Sequence, residues 1–243
     1  IKKGKMFGFI GDLFNTFLYT PLFNILIWLY TVLQNFGLAV LLLTILIRML
    51  LYPLNNKALK SQKEIQKIQP LIKEIQEKYK ENPQKQAEEL LALYKEKNFN
   101  PFASFGFMFL QIPLIIALYW SIRNIATAGY SIQEHLYSFV NFSGEIQPMF
   151  LGMDLTESHM LFALIVAVFQ FIQMRTMQQP KQEEKKELGD AEKMQNMMQK
   201  QMGLILPVIT FFILSKLPSA IGLYWLVATV VTIIQQKIIL KKE

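Results

Sequence analysis

Arg48 is the residue whose placement most constrains the chemistry. It sits in the apolar run Phe36–Leu54 (FGLAVLLLTILIRMLLYPL), and no apolar run of the chain contains an Asp or Glu that could neutralise it. A guanidinium near the middle of a bilayer costs about 2.5 to 3.5 kcal/mol on insertion scales, so it normally has a partner or water. About twelve residues from the outer end of its helix, Arg48 is expected roughly 18 Å deep at a rise of 1.5 Å per residue, in the inner leaflet. Thr44, one turn earlier, puts a hydroxyl on the same face. A side chain that snorkels to the cytoplasmic headgroups is the alternative.

Other polar groups fall inside apolar runs: Gln111 in the second, Gln170 and Gln173 in the third, and Thr229, Thr232, Gln235 and Gln236 in the last. Tyr224 and Trp225 stand near the outer end of that last run. Singly, each suits an interhelical hydrogen bond; with Arg48 they predict a cavity wetted from the cytoplasm. Catalytic constellations are missing. His135 and His159 both fall between the second and third runs, no HExxH or glycine-rich phosphate loop occurs, and no run holds a carboxylate or His as base or relay. No catalytic residue, metal or cofactor is therefore expected, and a proton-coupled transporter would lack its usual intramembrane acid or His.

The elements that must position these residues are membrane spans. Of the 243 residues, 52% are hydrophobic and 13% aromatic, too apolar for an ordinary soluble domain. Stretches able to cross a hydrocarbon core of about 30 Å are Phe36–Leu54, Pro101–Ile122, Met160–Met177, Gly203–Leu217 and Ser219–Leu240. The third and fourth are marginal in length and would cross with little tilt. Ten lysines lie between Asn55 and Asn100, and six basic residues between Arg175 and Lys200, whereas Asn124 to His159 has neither Lys nor Arg. By the positive-inside rule, segments 55–100 and 178–202 and the short tail 241–243 are cytoplasmic, and the loop 123–159 is external. Five spans then run with the N-terminus out and the C-terminus in. The net charge of +7 serves topology and anionic lipid rather than a nucleic-acid surface. The absence of cysteine removes disulfide and thiol chemistry.

Residues 1–35 admit two readings. Leu22–Leu33 is apolar but only about a dozen residues long, follows Pro21 and contains Asn24, which favours an external amphipathic helix lying in the interface. A sixth span with Lys2, Lys3 and Lys5 inside is the alternative. The chain begins at Ile1 rather than Met, so an upstream signal or transmembrane segment remains open.

Within segment 55–100, Ile65, Ile68, Ile72, Ile75 and Tyr79 alternate spacings of three and four, a heptad seam. Glu81-Asn82-Pro83 breaks it. A second amphipathic helix with Ala87, Leu90, Leu91 and Tyr94 on one face follows, so an antiparallel hairpin is expected, kinked or restarted at Pro70. A solvated spacer is the plainer reading of the same segment. The 178–202 loop mixes Lys with Glu and ends in Met194, Met197, Met198 and Met202, side chains suited to varied apolar partners or to a helix end dipping into the interface.

Several stretches resemble the YidC/Oxa/Alb family of membrane protein insertases: TPLFNILIWLY, NFGLAVLLLTILIRMLLYPL, IQPLIKEIQEKYKEN, LYKEKNFNPF, LQIPLIIALYWSI, FLGMDLT and PSAIGLYWLVATVVTIIQQKII. Their order and spacing cover nearly the whole chain. The resemblance implies an all-α membrane protein of five transmembrane helices around a hydrophilic groove, open to the cytoplasm and to lipid but sealed outside. It also implies a cytoplasmic helical hairpin, an N-terminal external interfacial helix and a bacterial cell membrane location. The family's charged groove residue falls on Arg48, its threonine on Thr44, its aromatic position on Trp225, and its polar third-span position on Gln173 or Gln170.

The expected function is insertion and folding of nascent membrane proteins, without ATP, with the lipid bilayer and the client chain as partners. The ribosome and the Sec translocon are candidate further partners. Unlike some relatives, the chain shows no large extracytoplasmic domain and its tail stops at Lys241-Lys242-Glu243, so ribosome contact through the tail is not expected, and a weaker route through the hairpin or second loop is the alternative. A channel or transporter for a small anion, with Arg48 as the binding charge, is the alternative. A chaperone that only assembles inserted subunits is a third possibility.

Overall fold

The computed structural model describes residues 5–97, 99, 101–127, 129–177 and 205–241. The methionine-rich end of the 178–202 loop, the start of the fourth predicted span and the last two residues lie outside them. The chain folds as α1 (Lys5–Phe14), a π-helical turn (Asn15–Tyr19), α2 (Thr20–Leu33), α3 (Phe36–Leu50), α4 (Tyr52–Lys78), α5 (Pro83–Glu96) and α6 (Pro101–Ala126). A short hairpin of β1 (Met149–Phe150) and β2 (Met153–Asp154) precedes α7 (Met160–Met177), and α9 (Ser219–Lys241) ends the chain. The apolar helix α8 spans Ile205–Leu214.

Local chemistry sets the boundaries. Gln34 ends α2 in the left-handed conformation, its N–H on the Tyr30 carbonyl at 2.8 Å, and Asn35 Oδ1 accepts from Leu38 N at 3.0 Å to start α3. The apolar run continues to Leu54, yet α3 stops at Leu50 and α4 starts at Tyr52. Pro53 is the reason: it lacks an N–H for the preceding turn and suits the first turn of a new helix. Pro70, by contrast, is accommodated within an unbroken α4.

Two compact units emerge, one of Ile1–Met49 with Pro113–Lys237, the other of Leu50–Ile112 with Ile238–Glu243. In the second unit, α4 and α5 meet around their turn: Gln86 Nε2 donates to Gln76 O at 3.0 Å, and Asn82 caps α5 by accepting from Lys85 N at 3.1 Å. The inward face of α5 carries the buried Leu93, with Leu90 and Tyr94 half-buried, while Leu91 and Ala87 are exposed.

In the first unit, α2 is fastened to the loop before α7. Phe23, Ile27 and Val140 form a buried apolar cluster there. Asn24 donates to His135 O at 3.1 Å and accepts from Tyr137 N at 2.6 Å; Tyr30 Oη accepts from Gln147 N at 3.0 Å. Ser219 N and Ala220 N, which lack intrahelical partners at the start of α9, donate to Glu157 O and Leu155 O at 2.7 and 2.9 Å. His159 Nδ1 lies 2.9 Å from Ser219 Oγ, tying the starts of α7 and α9 together.

Among the described residues, Gly11–Leu33 and Ser219–Ile239 form continuous helices long and apolar enough to cross a membrane, and Met160–Thr176 and Ile205–Leu214 are shorter apolar helices. The N-terminal helix is thus about twice the dozen residues its apolar core suggested, because the π-turn carries helical hydrogen bonding through Pro21.

Candidate functional site

The site is built on one face of α3. Spacing by four stacks Val40, Thr44 and Arg48, and all three are buried, Thr44 completely and Arg48 with 8% of its surface exposed. Thr44 Oγ1 donates to Val40 O at 2.7 Å. Its proton is therefore committed to its own helix, and its lone pairs are what it offers to a neighbour.

Helix α9 supplies the polar side chains of the same unit. Tyr224 is buried within electrostatic reach of the Arg48 guanidinium, and Trp225 beside it is half-buried. Thr229, Thr232, Gln235 and Gln236 are all buried, although nothing in their spacing alone separated them from ordinary interhelical polar residues. Thr232 Oγ1 turns back to Ala228 O at 2.8 Å. On α7, Gln170 is buried with 6% exposure and Gln173 is half-buried.

The amide oxygens of Gln170 and Gln236 are buried without a hydrogen-bond partner among the described residues. Such an atom is expensive in an apolar surround, about 1 to 3 kcal/mol, and is normally met by water or a ligand. Gln111 stands apart. It lies half-buried on the α6 segment that belongs to the second unit. Sequence reasoning passed over Ser121 and Thr210, both buried; the Ser121 hydroxyl bonds Ala117 O at 2.8 Å, so it leaves no polar signal in a helical pattern.

The chemistry available here is binding. A fixed cation and neutral acceptors can hold a polar or anionic group inside a helical bundle. Among the described residues, no group of three His, Asp or Glu side chains could hold a metal ion.

Comparison with known proteins identifies the family. Residues 28–243 match the family model described as 60Kd inner membrane protein. The chain is 29% identical over its whole length to a membrane protein insertase YidC of Endomicrobium trichonymphae, covering 42% of that protein. It is 30% identical to the proteins of the same name from Beijerinckia indica, with 93% of this chain and 37% of the relative covered, and from Wolinella succinogenes, with 97% and 38%. The chain thus spans about two fifths of the length of these curated relatives. A crystal structure described as active YidC insertase with its first transmembrane domain resolved is similar in fold, with a TM-score of 0.59 at 28% identity over 85% of this chain and 42% of that one. With several apolar helices and a family model matched over most of its length, the chain is a membrane protein of the YidC/Oxa family.

Proposed function

We propose that this chain is an ATP-independent membrane protein insertase that lowers the barrier for moving a short polar segment of a nascent membrane protein across the bilayer. The observation that carries the reading is a buried arginine sharing one unit with the buried Gln170, Tyr224, Thr229 and Gln236, in a family whose relatives bear the name insertase. In this mechanism five spans enclose a groove open to the cytoplasm. Thr44, Gln170, Gln173, Tyr224 and Trp225 line it.

The physical step is partial solvation. Polar side chains and the water they hold replace some of the hydration that a client segment loses on leaving the cytoplasm. The positive potential of Arg48 favours a client carboxylate, more strongly than it would in bulk water because the surround is less polarisable. The client's apolar helix then moves into lipid, driven by about 25 cal/mol per Å² of buried apolar area. A membrane potential assists acidic segments by about 2.3 kcal/mol per charge per 100 mV.

The test is insertion into reconstituted vesicles of several substrates with acidic translocated tails. Arg48→Ala is expected to cut insertion by about tenfold or more, and Arg48→Lys to retain most of it, because the position of the charge matters more than its fork geometry. Equal insertion by wild type and Arg48→Ala would refute the mechanism.

A further inference from the structure

Two basic residues stand apart from the sorted charge of the chain. Arg123 is three residues from the end of α6, and Lys216 lies in the turn between α8 and α9, so both sit at helix ends that meet the lysine-free loop 124–159. Both line one cavity of about 270 Å³, together with Tyr119, Thr156, Ser158 and Pro218. Among the described residues, neither cation forms an ion pair with a carboxylate. Arg123 stacks over Trp120 at 5.4 Å, and its Nη1 donates to Tyr119 Oη at 3.2 Å.

The inventory of donors has one sign. Tyr119 accepts from Arg123 and so keeps its own O–H to donate, and Ser158 contributes a second hydroxyl. The Asp154 carboxylate beside this wall is already engaged: its Oδ1 accepts from Thr156 N at 2.8 Å and from Thr156 Oγ1 at 2.6 Å. The wall is also held in place, since the 155–157 backbone accepts the first N–H groups of α9.

We infer that this cavity is a phosphate-binding site at the membrane interface, in which Arg123 and Lys216 hold the phosphodiester of a lipid headgroup with Tyr119 and Ser158 as neutral donors. Isolated interfacial lysines and arginines need only headgroup proximity. Here two cations from separate elements converge with hydroxyls on a single concavity, which is the arrangement a tetrahedral anion requires. The inference borrows from the proposed topology only that these helix ends meet headgroups, and its test reads lipid binding rather than insertion.

The full chain in detergent micelles is titrated with phosphatidylglycerol and, separately, with inorganic phosphate, and bound adducts are counted by native mass spectrometry. Wild type and R123K/K216R are expected to retain a phosphatidylglycerol adduct that R123Q/K216Q binds about tenfold more weakly. R175Q/K237Q, which removes the same charge elsewhere, is expected to bind as wild type does. An inorganic phosphate adduct lost in R123Q/K216Q, with phosphatidylglycerol unbound, would support the phosphate chemistry and reject the lipid source. Equal adducts in wild type and R123Q/K216Q with both probes, or an equal loss in R175Q/K237Q, would overturn the site.

Discussion

At the scale of residues, the polar atoms that weaken the fold are the ones the proposed function would use. Gln170 holds a buried amide oxygen that no described residue satisfies, a cost of about 1 to 3 kcal/mol wherever water does not reach it. Gln170→Met keeps the volume and removes the acceptor. It is expected to raise thermal stability in detergent by about 1 kcal/mol while slowing insertion of acidic-tailed clients. A variant that is stabler and inserts as fast as wild type would remove Gln170 from the groove. Arg48 was legible from sequence because a charge in an apolar run announces itself. The glutamines were legible beside it, but Gln111 and Gln170 look alike along the chain, and only the fold shows Gln170 buried and Gln111 half-buried.

Elements were legible where punctuation is chemical and obscure where a partner decides. Pro83 and Asn82 mark the start of α5, but the face that α5 turns inward carries Leu93 rather than Leu91, which period alone does not decide. The β1–β2 hairpin was invisible because its turn residues, Leu151 at φ 50° and Gly152 at φ 80°, place a leucine where Asn or Gly is usual. Leu151 is also 83% exposed. Leu151→Asn is therefore expected to stabilise the protein by about 1 kcal/mol, read as a higher unfolding midpoint. The same hairpin explains Gly37: a Cβ there would overlap the Phe150 ring. Gly37→Val should destabilise by about 1 to 3 kcal/mol, and Phe150→Ala in the same chain should recover part of the loss, a coupling that a double-mutant cycle measures.

For the whole molecule, the sequence favours an N-terminal helix lying on the membrane over one that crosses it, yet Gly11–Leu33 is long and apolar enough to span. The hydrogen bonds of this helix support our proposal that it lies in the interface. Tyr19 Oη lies 3.3 Å from Tyr130 Oη, Asn24 meets His135 and Tyr137, and Tyr30 meets Gln147, so the helix is held by one loop along about 16 Å of its axis. Were the helix to cross, that irregular loop, with Glu134 and Glu145, would have to follow it halfway through hydrocarbon, where exposed backbone polar groups are not tolerated. In that proposal the exposed Phe9, Leu13, Phe17, Ile25, Trp28 and Val32 would face lipid. The chain has no native cysteine, so a single introduced thiol reports its own side of the membrane. Gly8→Cys, at a position where a Cβ meets nothing within 4 Å, and Ser143→Cys, in the exposed loop, should both react with an impermeant maleimide in intact cells. Lys85→Cys, at the start of α5, should react only after permeabilisation. Labelling of Gly8→Cys only after permeabilisation would make the helix a sixth span and would force the loop hydrogen bonds to break in the membrane.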